Sequence, residues 1–305
     1  MSQPQVSVVI PHHGDPELPT RLVARLAAAT DGPPLQIIVV DDASPTPLGP
    51  VPGAQVVRRE RNGGFGAAVN TGAALATGEL LLILNSDTSP VPDFVARLVA
   101  AAAPLQPCVA SPRITSDGRR QDTGRRFPRP WHPAVESVTW LGRYFDREWF
   151  RRAIGVVTTP AGGDPLRVDW VAGVALLVPT AAYRAVGGFD ERFFMYAEEP
   201  DLQVRLAAHG VPAYLLAAVE LEHAGEGSSP ASRRSAWLAE SRATYAYKHG
   251  WLGWHRILST LAVPVELTGQ TALRALGKAG RVDHVGRQLR AAWRRPRRRL
   301  DQRAR

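Results

Sequence analysis

Residues 79–87 read ELLLILNSD: an uninterrupted aliphatic run of strand length, then an abrupt change to three polar side chains. A short apolar run without alternation is what a strand buried on both faces requires. The same shape recurs at 36–40 (QIIVV), which ends at Asp41-Asp42-Ala43-Ser44, and at 6–11 (VSVVIP). Residues 55–58 and 107–114 predict two further strands. Between these runs lie helical patterns. Residues 19–29 carry Leu22, Leu26 and Ala29 at helical spacing, 67–76 is built of small residues, and 92–103 opens near Pro92. Strands alternating with helices predict an α/β fold with a mostly parallel sheet flanked by helices on both faces. In such sheets ligands sit beyond the carboxyl ends of the strands. Asp41 and Asp87 both fall at those ends, which makes them the first candidate site residues.

A second stretch supplies more acids. Residues 170–179 read WVAGVALLVP and predict one strand; 187–205 read GGFDERFFMYAEEPDLQVR. Glu198-Glu199-Pro200-Asp201 reads as a helix opening over 199–210, with Glu199 as cap and Pro200 at the first helical position, where its missing N–H costs nothing. A carboxylate there also favours the helix dipole. Two adjacent glutamates beneath Phe193-Phe194-Met195-Tyr196 suggest more, because partial desolvation raises a carboxylate's proton affinity towards that of a base. Residues 213–219 predict a last strand with His223 just past it, and 228–235 reads as a linker. Residues 115–167, including RRFPRPW at 125–131, read as a long, weakly structured excursion of the kind that serves as a lid or binding loop. Residues 236–280 read as helical, with Trp254, Leu258, Leu261 and Val265 on one face and a kink or break expected at Pro264. The expected division is a catalytic domain over 1–235 and a helical extension with an arginine-rich tail over 236–305.

Composition narrows the setting. Residues 281–305 hold ten arginines against two aspartates, so +8 of the chain's +9 formal charge sits there. Without a nucleic-acid module or interleaved aromatics beyond Trp293, the tail points to an anionic membrane surface and not to nucleic acid. The single cysteine, Cys108, reads as a small buried hydrophobe in a reducing compartment. No signal-peptide pattern is evident at the N-terminus, and no run approaches the ~20 apolar residues of a membrane span. The expected location is the cytoplasm, peripheral on the inner face of the cell membrane.

Individually the candidates are weak. An acid after a strand can accept hydrogen bonds from a base or ribose, but such acids are common. The glycines at 63, 64 and 66 permit close backbone approach to a ligand but lack dinucleotide-binding spacing. Asp87 beside Asn85 can seat a Mg²⁺ or Mn²⁺ whose remaining ligands are water and phosphate oxygens, and an imidazole from His223 would suit Mn²⁺ better.

Together, VSVVIP at 6–11, VVDDAS at 39–44, NGGFGAAVNTG at 62–72, ATGELLLILNSDT at 76–88, WVAGVALLV at 170–178 and GGFDERFFMYAEEPDLQVRL at 187–206 resemble the inverting, GT-A-type glycosyltransferases of family 2, in particular their rhamnosyltransferase-like branch. The resemblance covers residues 6–225 and implies residue roles. Pro11, Asp41, Asn62, Gly64, Asn70, Asn85 and Asp87 would form the nucleotide-sugar site, with Asp41 on the pyrimidine. Asp87, last residue of a degenerate D-x-D, would bind the divalent metal with His223. Glu199 would be the base that activates the acceptor, in a position where the branch usually has aspartate, with Glu198 as the competing choice. Trp170, Gly173, Asp201 and the 115–167 excursion would face the acceptor.

The implied reaction is a single in-line displacement that moves a sugar, with dTDP-L-rhamnose the first choice of donor and UDP- or GDP-sugars the alternatives. The acceptor would be a glycan or a polyprenyl-diphosphate-linked saccharide, as in cell-wall or polysaccharide assembly, with a soluble acceptor as the alternative. A sugar nucleotidyltransferase is disfavoured because 11–17 (PHHGDPE) lacks a basic residue, and an NAD-dependent oxidoreductase because of the glycine spacing. A non-catalytic nucleotide-sugar-binding module is disfavoured by the acids at 87, 198, 199 and 201. The reading expects the acids at 41, 87 and 199 around one cavity.

Overall fold

The computed structural model describes residues 6–29, 32–158, 163–225, 231–277 and 290–297. The chain runs β1 (Val6–His12), α1 (Glu17–Ala27), β2 (Leu35–Asp41), β3 (Gln55–Arg58), α2 (Phe65–Leu75), β4 (Leu80–Leu84), β5 (Thr88–Ser89), α3 (Phe94–Ala102) and β6 (Val109–Ser116). It continues through β7 (Arg119–Arg120), β8 (Gly124–Arg125), α4 (His132–Ser137), α5 (Glu148–Ala153), β9 (Pro165–Val168), β10 (Trp170–Val171), β11 (Ala175–Pro179) and α6 (Thr180–Ala185). It ends with α7 (Glu198–Ala208), β12 (Ala213–His223), α8 (Ala231–Lys248) and α9 (Leu252–Ala275).

The main sheet has the order β3-β2-β1-β4-β11-β6-β12-β5. β1, β2, β3 and β4 are mutually parallel, as are β6 and β12, while β11 runs antiparallel between the two groups. Side chains alternate across β1. Val6, Val8 and Ile10 join Leu22, Phe94 and Leu98 in one core, and Val9 joins Ile38, Val69 and Ile83 in the other. This two-residue period divides the core between the two faces. The small residues of α2 allow that helix to lie against the sheet. A Cβ on Gly72 would come within 2.5 Å of Val9 Cγ1.

The α/β class, the mostly parallel sheet and the C-terminal helices expected from sequence are all present. Several local expectations need correction. The strand expected over 170–179 is two strands, β10 and β11, separated by Ala172–Val174, and the break frees Gly173. The excursion over 115–167 carries β7, β8, β9, α4, α5 and a 3₁₀ turn at Thr139–Tyr144. α7 begins at Glu198 with Ala197 as N-cap, so Glu199 and Pro200 lie one and two residues inside the helix. His223 is the last residue of β12, not a residue beyond it. α8 starts inside the expected linker and crosses the expected domain boundary at 235. The helix expected over 236–280 is two helices, parted at Gly250, whose φ is +80°. Pro264 does not end α9, which runs on to Ala275. Leu258 turns inward to pack with Ala134, Val138 and Ala262, and Ile257 takes its place beside Trp254, Leu261 and Val265 on the exposed face. Most of the arginine-rich tail lies outside the described residues. Of the part within them, Arg297 bonds Glu240 and Thr244 of α8.

Candidate active site

The carboxyl ends of β1, β2 and β4 gather the first set of candidates. Asp41, the last residue of β2, is fully buried and accepts from Ser44 N (2.8 Å), Leu48 N (3.1 Å) and Arg58 Nη1. Burial pushes its carboxyl up, but these donors outweigh burial and bring it down to about 2. A carboxylate so enclosed has little left to offer a nucleobase; it closes the 42–48 loop instead. Its neighbour Asp42, which sequence reasoning passed over, accepts from Gly63 N (3.0 Å), Gly64 N (2.8 Å) and Arg59 Nη1 (2.7 Å). Asp42 thereby holds the glycine-rich turn at the start of α2, where an anion is favoured by free N–H groups and the helix dipole. Gly64 has φ +87°, and a Cβ there would lie 1.9 Å from Phe194 O, so only glycine lets the turn meet the segment before α7.

Asn62 is exposed, within 3.2 Å of His13 Nδ1, and Pro11 is half-buried in β1. Asn70 faces inward. Its amide donates to Phe189 O (2.9 Å) and Glu191 (3.1 Å) and accepts from Tyr183 and Phe189 N. Asn70 thus braces α2 against the 187–191 turn.

Asn85 and Asp87 follow β4. The antiparallel pairing of β5 with β12 sets His223 opposite Thr88 and so brings His223 Nε2 within 3.2 Å of Asp87 Oδ1. The other ring nitrogen of His223 is buried without a partner among the described residues. Those residues contain no cluster of three or more His, Cys, Asp or Glu arranged for a metal. An adjoining carboxylate and imidazole suit a cation that draws most of its oxygen ligands from water and a diphosphate.

The second set surrounds the start of α7. Tyr196 and Ala197 have φ +71° and +64°, two successive left-handed residues with side chains just before the glutamate pair. Such strain persists only where surrounding structure enforces it, and it concentrates at functional sites. Ser241 of α8 bonds Met195 O (2.8 Å), and Trp237 packs on Phe194 at 4.9 Å, fixing this turn from above. The turn delivers Glu199 to the wall of a cavity of about 310 Å³, which Trp170, Arg125, Arg242 and Trp251 also line. Gly173 N donates to Glu199 Oε1 at 3.2 Å, and a Cβ on Gly173 would sit 2.9 Å from that oxygen. Gly173 is therefore a spacer and orienting donor for Glu199. Trp170 is held by its indole N–H on Arg126 O at 2.9 Å.

Desolvation raises the proton affinity of Glu199. It raises that of Glu198 well above the usual carboxylate range, with Glu199's charge adding to it. Glu198 is buried with Oε2 unpartnered among the described residues and is not part of the cavity wall. Asp201, expected at the acceptor, is turned away and fully buried, where Arg205 (3.0 Å), Lys248 (2.7 Å) and His249 (3.2 Å) occupy its carboxylate. It fastens α7 to the end of α8. Of Asp41, Asp87 and Glu199, Glu199 alone lines this cavity.

Residues 7–172, more than half of the chain, match the family model described as Glycosyl transferase family 2. The chain is 29% identical over 286 residues to the N-acetylglucosaminyl-diphospho-decaprenol L-rhamnosyltransferase of Mycobacterium tuberculosis, covering 83% of this chain and 89% of that one. It is 28% identical over 263 residues to the O-antigen biosynthesis protein RfbC of Myxococcus xanthus, covering 82% of this chain and 19% of that longer one. Among solved structures, the mannosyltransferase PcManGT from Pyrobaculum calidifontis in complex with GDP-Man and Mn²⁺ superposes with a TM-score of 0.56 at 18% identity, over 95% of this chain and 80% of that one. GalNAc-T7 with UDP, GalNAc and Mn²⁺ also gives 0.56, at 17% identity, over 80% of this chain and 48% of that one. The two superpositions establish the GT-A-type fold.

Proposed function

The chain belongs to glycosyl transferase family 2, and on that premise we propose that it transfers L-rhamnose from dTDP-L-rhamnose to a hydroxyl of a polyprenyl-diphosphate-linked saccharide, with inversion at the anomeric carbon. The observation that carries this reading is Glu199: a desolvated carboxylate on a cavity wall, aimed by Gly173 N–H and delivered by a strained turn. The sugar and the acceptor follow the rhamnosyltransferase relative, which the chain matches along most of both lengths; the dTDP carrier follows the resemblance of the sequence motifs.

Glu199 takes the acceptor hydroxyl's proton as that oxygen closes on the anomeric carbon. The bond from this carbon to the diphosphate breaks on the opposite face, and the configuration inverts. A positioned base contributes about 10²–10⁴ in rate. Asp87 and His223 would hold a Mg²⁺ or Mn²⁺, whose chemistry is to offset charge on the departing diphosphate. Asp42 and the glycine turn shape the donor side, Asn85 and Asn62 border it, and Asp41 supports it from behind. Trp170 offers the acceptor sugar an aromatic face.

Among the described residues no helix is long and apolar enough to cross a membrane. A lipid-linked acceptor therefore calls for a surface contact. Trp254, Ile257, Leu261 and Val265 form an exposed apolar face on α9, and the arginine-rich end follows it in the chain. That combination suits the headgroup region of an anionic bilayer, with the protein peripheral on the inner face of the cell membrane.

The test is a panel of nucleotide sugars with a short-chain polyprenyl-diphosphate N-acetylglucosamine and either metal. The expected outcome is metal-dependent rhamnosyl transfer with an inverted linkage in the product. Donor binding without turnover on any acceptor would point to a non-catalytic binding module, and turnover with UDP- or GDP-sugars alone would replace the donor.

A further inference from the structure

Among the described residues, the wall of the cavity in front of Glu199 carries one arginine without a partner. Arg125 ends β8, where its backbone is held on both sides, paired with Trp170 of β10 and bridged to Val156. Its side chain is half-buried on the cavity wall. The charged groups around it are already matched: Arg126 with Asp169 (3.0 Å), Arg151 with Asp122 (2.5 Å), and Arg242 with Glu136. The Arg125 guanidinium has no hydrogen-bond or ion-pair partner among the described residues, and Glu136 and Asp122 reach it only as more distant charges. A guanidinium does not escape burial by losing its proton, and a partly desolvated, unpaired charge is costly. That cost is recovered when an anion enters, and the planar fork of donors matches a phosphate in particular.

We propose that Arg125 is the anion-binding residue of the acceptor cavity and takes the phosphate next to the sugar whose hydroxyl Glu199 activates. This rests on the reading of the cavity as the acceptor site. It assigns recognition of a phosphate-linked acceptor to a residue of the 115–167 excursion, separate from the Asp87–His223 seat on the donor side. The opposite ends of one acceptor sugar would then be read by opposite charges, its free hydroxyl by Glu199 and its phosphate by Arg125.

Two measurements on the full chain test this. In the first, inorganic pyrophosphate is titrated calorimetrically in EDTA, which removes metal-dependent binding at the donor side. Arg125→Gln is expected to weaken binding by about 10- to 100-fold, the worth of a charged hydrogen-bonded contact, and Arg125→Lys to restore part of it. No binding by the unaltered chain, or equal binding by Arg125→Gln, would overturn the assignment. In the second, kinetics compare a polyprenyl-diphosphate N-acetylglucosamine, the octyl glycoside of the same sugar, and an acceptor ending in glucuronic acid. Arg125→Gln should raise KM for the diphosphate acceptor while kcat changes little, with a much smaller effect on the octyl glycoside. Equal losses on both would reduce Arg125 to a structural role. Loss of discrimination confined to the glucuronic acid acceptor would replace phosphate by carboxylate and overturn the proposal as stated. If the unaltered chain turns over none of the three, the proposed reaction fails while the pyrophosphate titration still decides Arg125. Melting curves accompany each variant, and Arg125→Lys carries the test if Arg125→Gln does not fold.

Discussion

At the ends of the parallel strands, the acids are surrounded by donors. Asp41 accepts from two backbone N–H groups and Arg58, and Asp42 from two backbone N–H groups and Arg59. At the start of α7, Glu198 keeps an oxygen with no partner among the described residues, and Glu199 receives one backbone N–H from outside its own helix. Both pairs are adjacent carboxylates next to buried structure, yet Asp41 is settled in its charged form while Glu198 and Glu199 are pushed towards their neutral form. A fully bonded acid contributes to the fold and has nothing left to do; an acid held short of donors costs stability and retains its affinity for a proton.

The sharpest way to break this contrast is at Glu199. Glu199→Gln should bind donor normally and lose about 10²–10⁴ in turnover, measured as kcat with saturating donor. Near-normal turnover would move the base elsewhere. Next in size is Asp87→Ala, expected to weaken metal-dependent donor binding by about 10- to 100-fold, read as the shift in donor affinity with and without Mn²⁺. Unchanged affinity with metal present would remove Asp87 from the metal seat.

Stability supplies a finer test, because the two kinds of acid should respond to pH with opposite sign. Asp41 titrates at about 2 in the fold and near 3.8 unfolded, so its contribution is complete above pH 4 and disappears as pH falls through 2. Asp41→Asn should therefore cost about 2 kcal/mol at neutral pH, by denaturant unfolding, with the difference closing in acid. Glu198 is the reverse. Its proton is held more tightly in the fold, so the unfolded chain ionises first and stability declines as pH rises above the ordinary glutamate value. Glu198→Gln should thus melt higher than the unaltered chain at neutral pH and converge with it near pH 4. A lower melting temperature for Glu198→Gln would mean that its charge is supported by contacts other than those described.

Sequence patterns located the frame of the fold and the acids at its strand ends because both depend on local rules. Short aliphatic runs such as 36–40 and 80–84 have few ways to be buried except as central strands, and an acid at the end of such a run falls at the sheet's carboxyl edge. Which atoms the acid meets is a tertiary matter. Asp41 and Asp42 are indistinguishable by pattern, and only the paths of the 42–48 loop and the 62–64 turn decide their donors. Asn70 and Asp201 looked available because their partners, Tyr183 and Phe189 for one and Lys248 and His249 for the other, approach from distant segments. Arg125 carried a faint signal, as part of a basic, proline-rich run inside a long insertion. Nothing in that run distinguishes it from Arg126, which pairs with Asp169, or from Arg129, which stacks on Trp131 outside the cavity, until the tertiary structure is seen.

The two-residue strand β5 carries a consequence for biosynthesis. Its ladder to β12 is what seats His223 beside Asp87, and 136 positions of chain separate the two residues. A nascent polypeptide that has already formed β1 to β4 holds only one half of the pair. The second half arrives with β12, the last of the described strands, so the seat proposed for a metal and a sugar nucleotide stays incomplete until the sheet is closed.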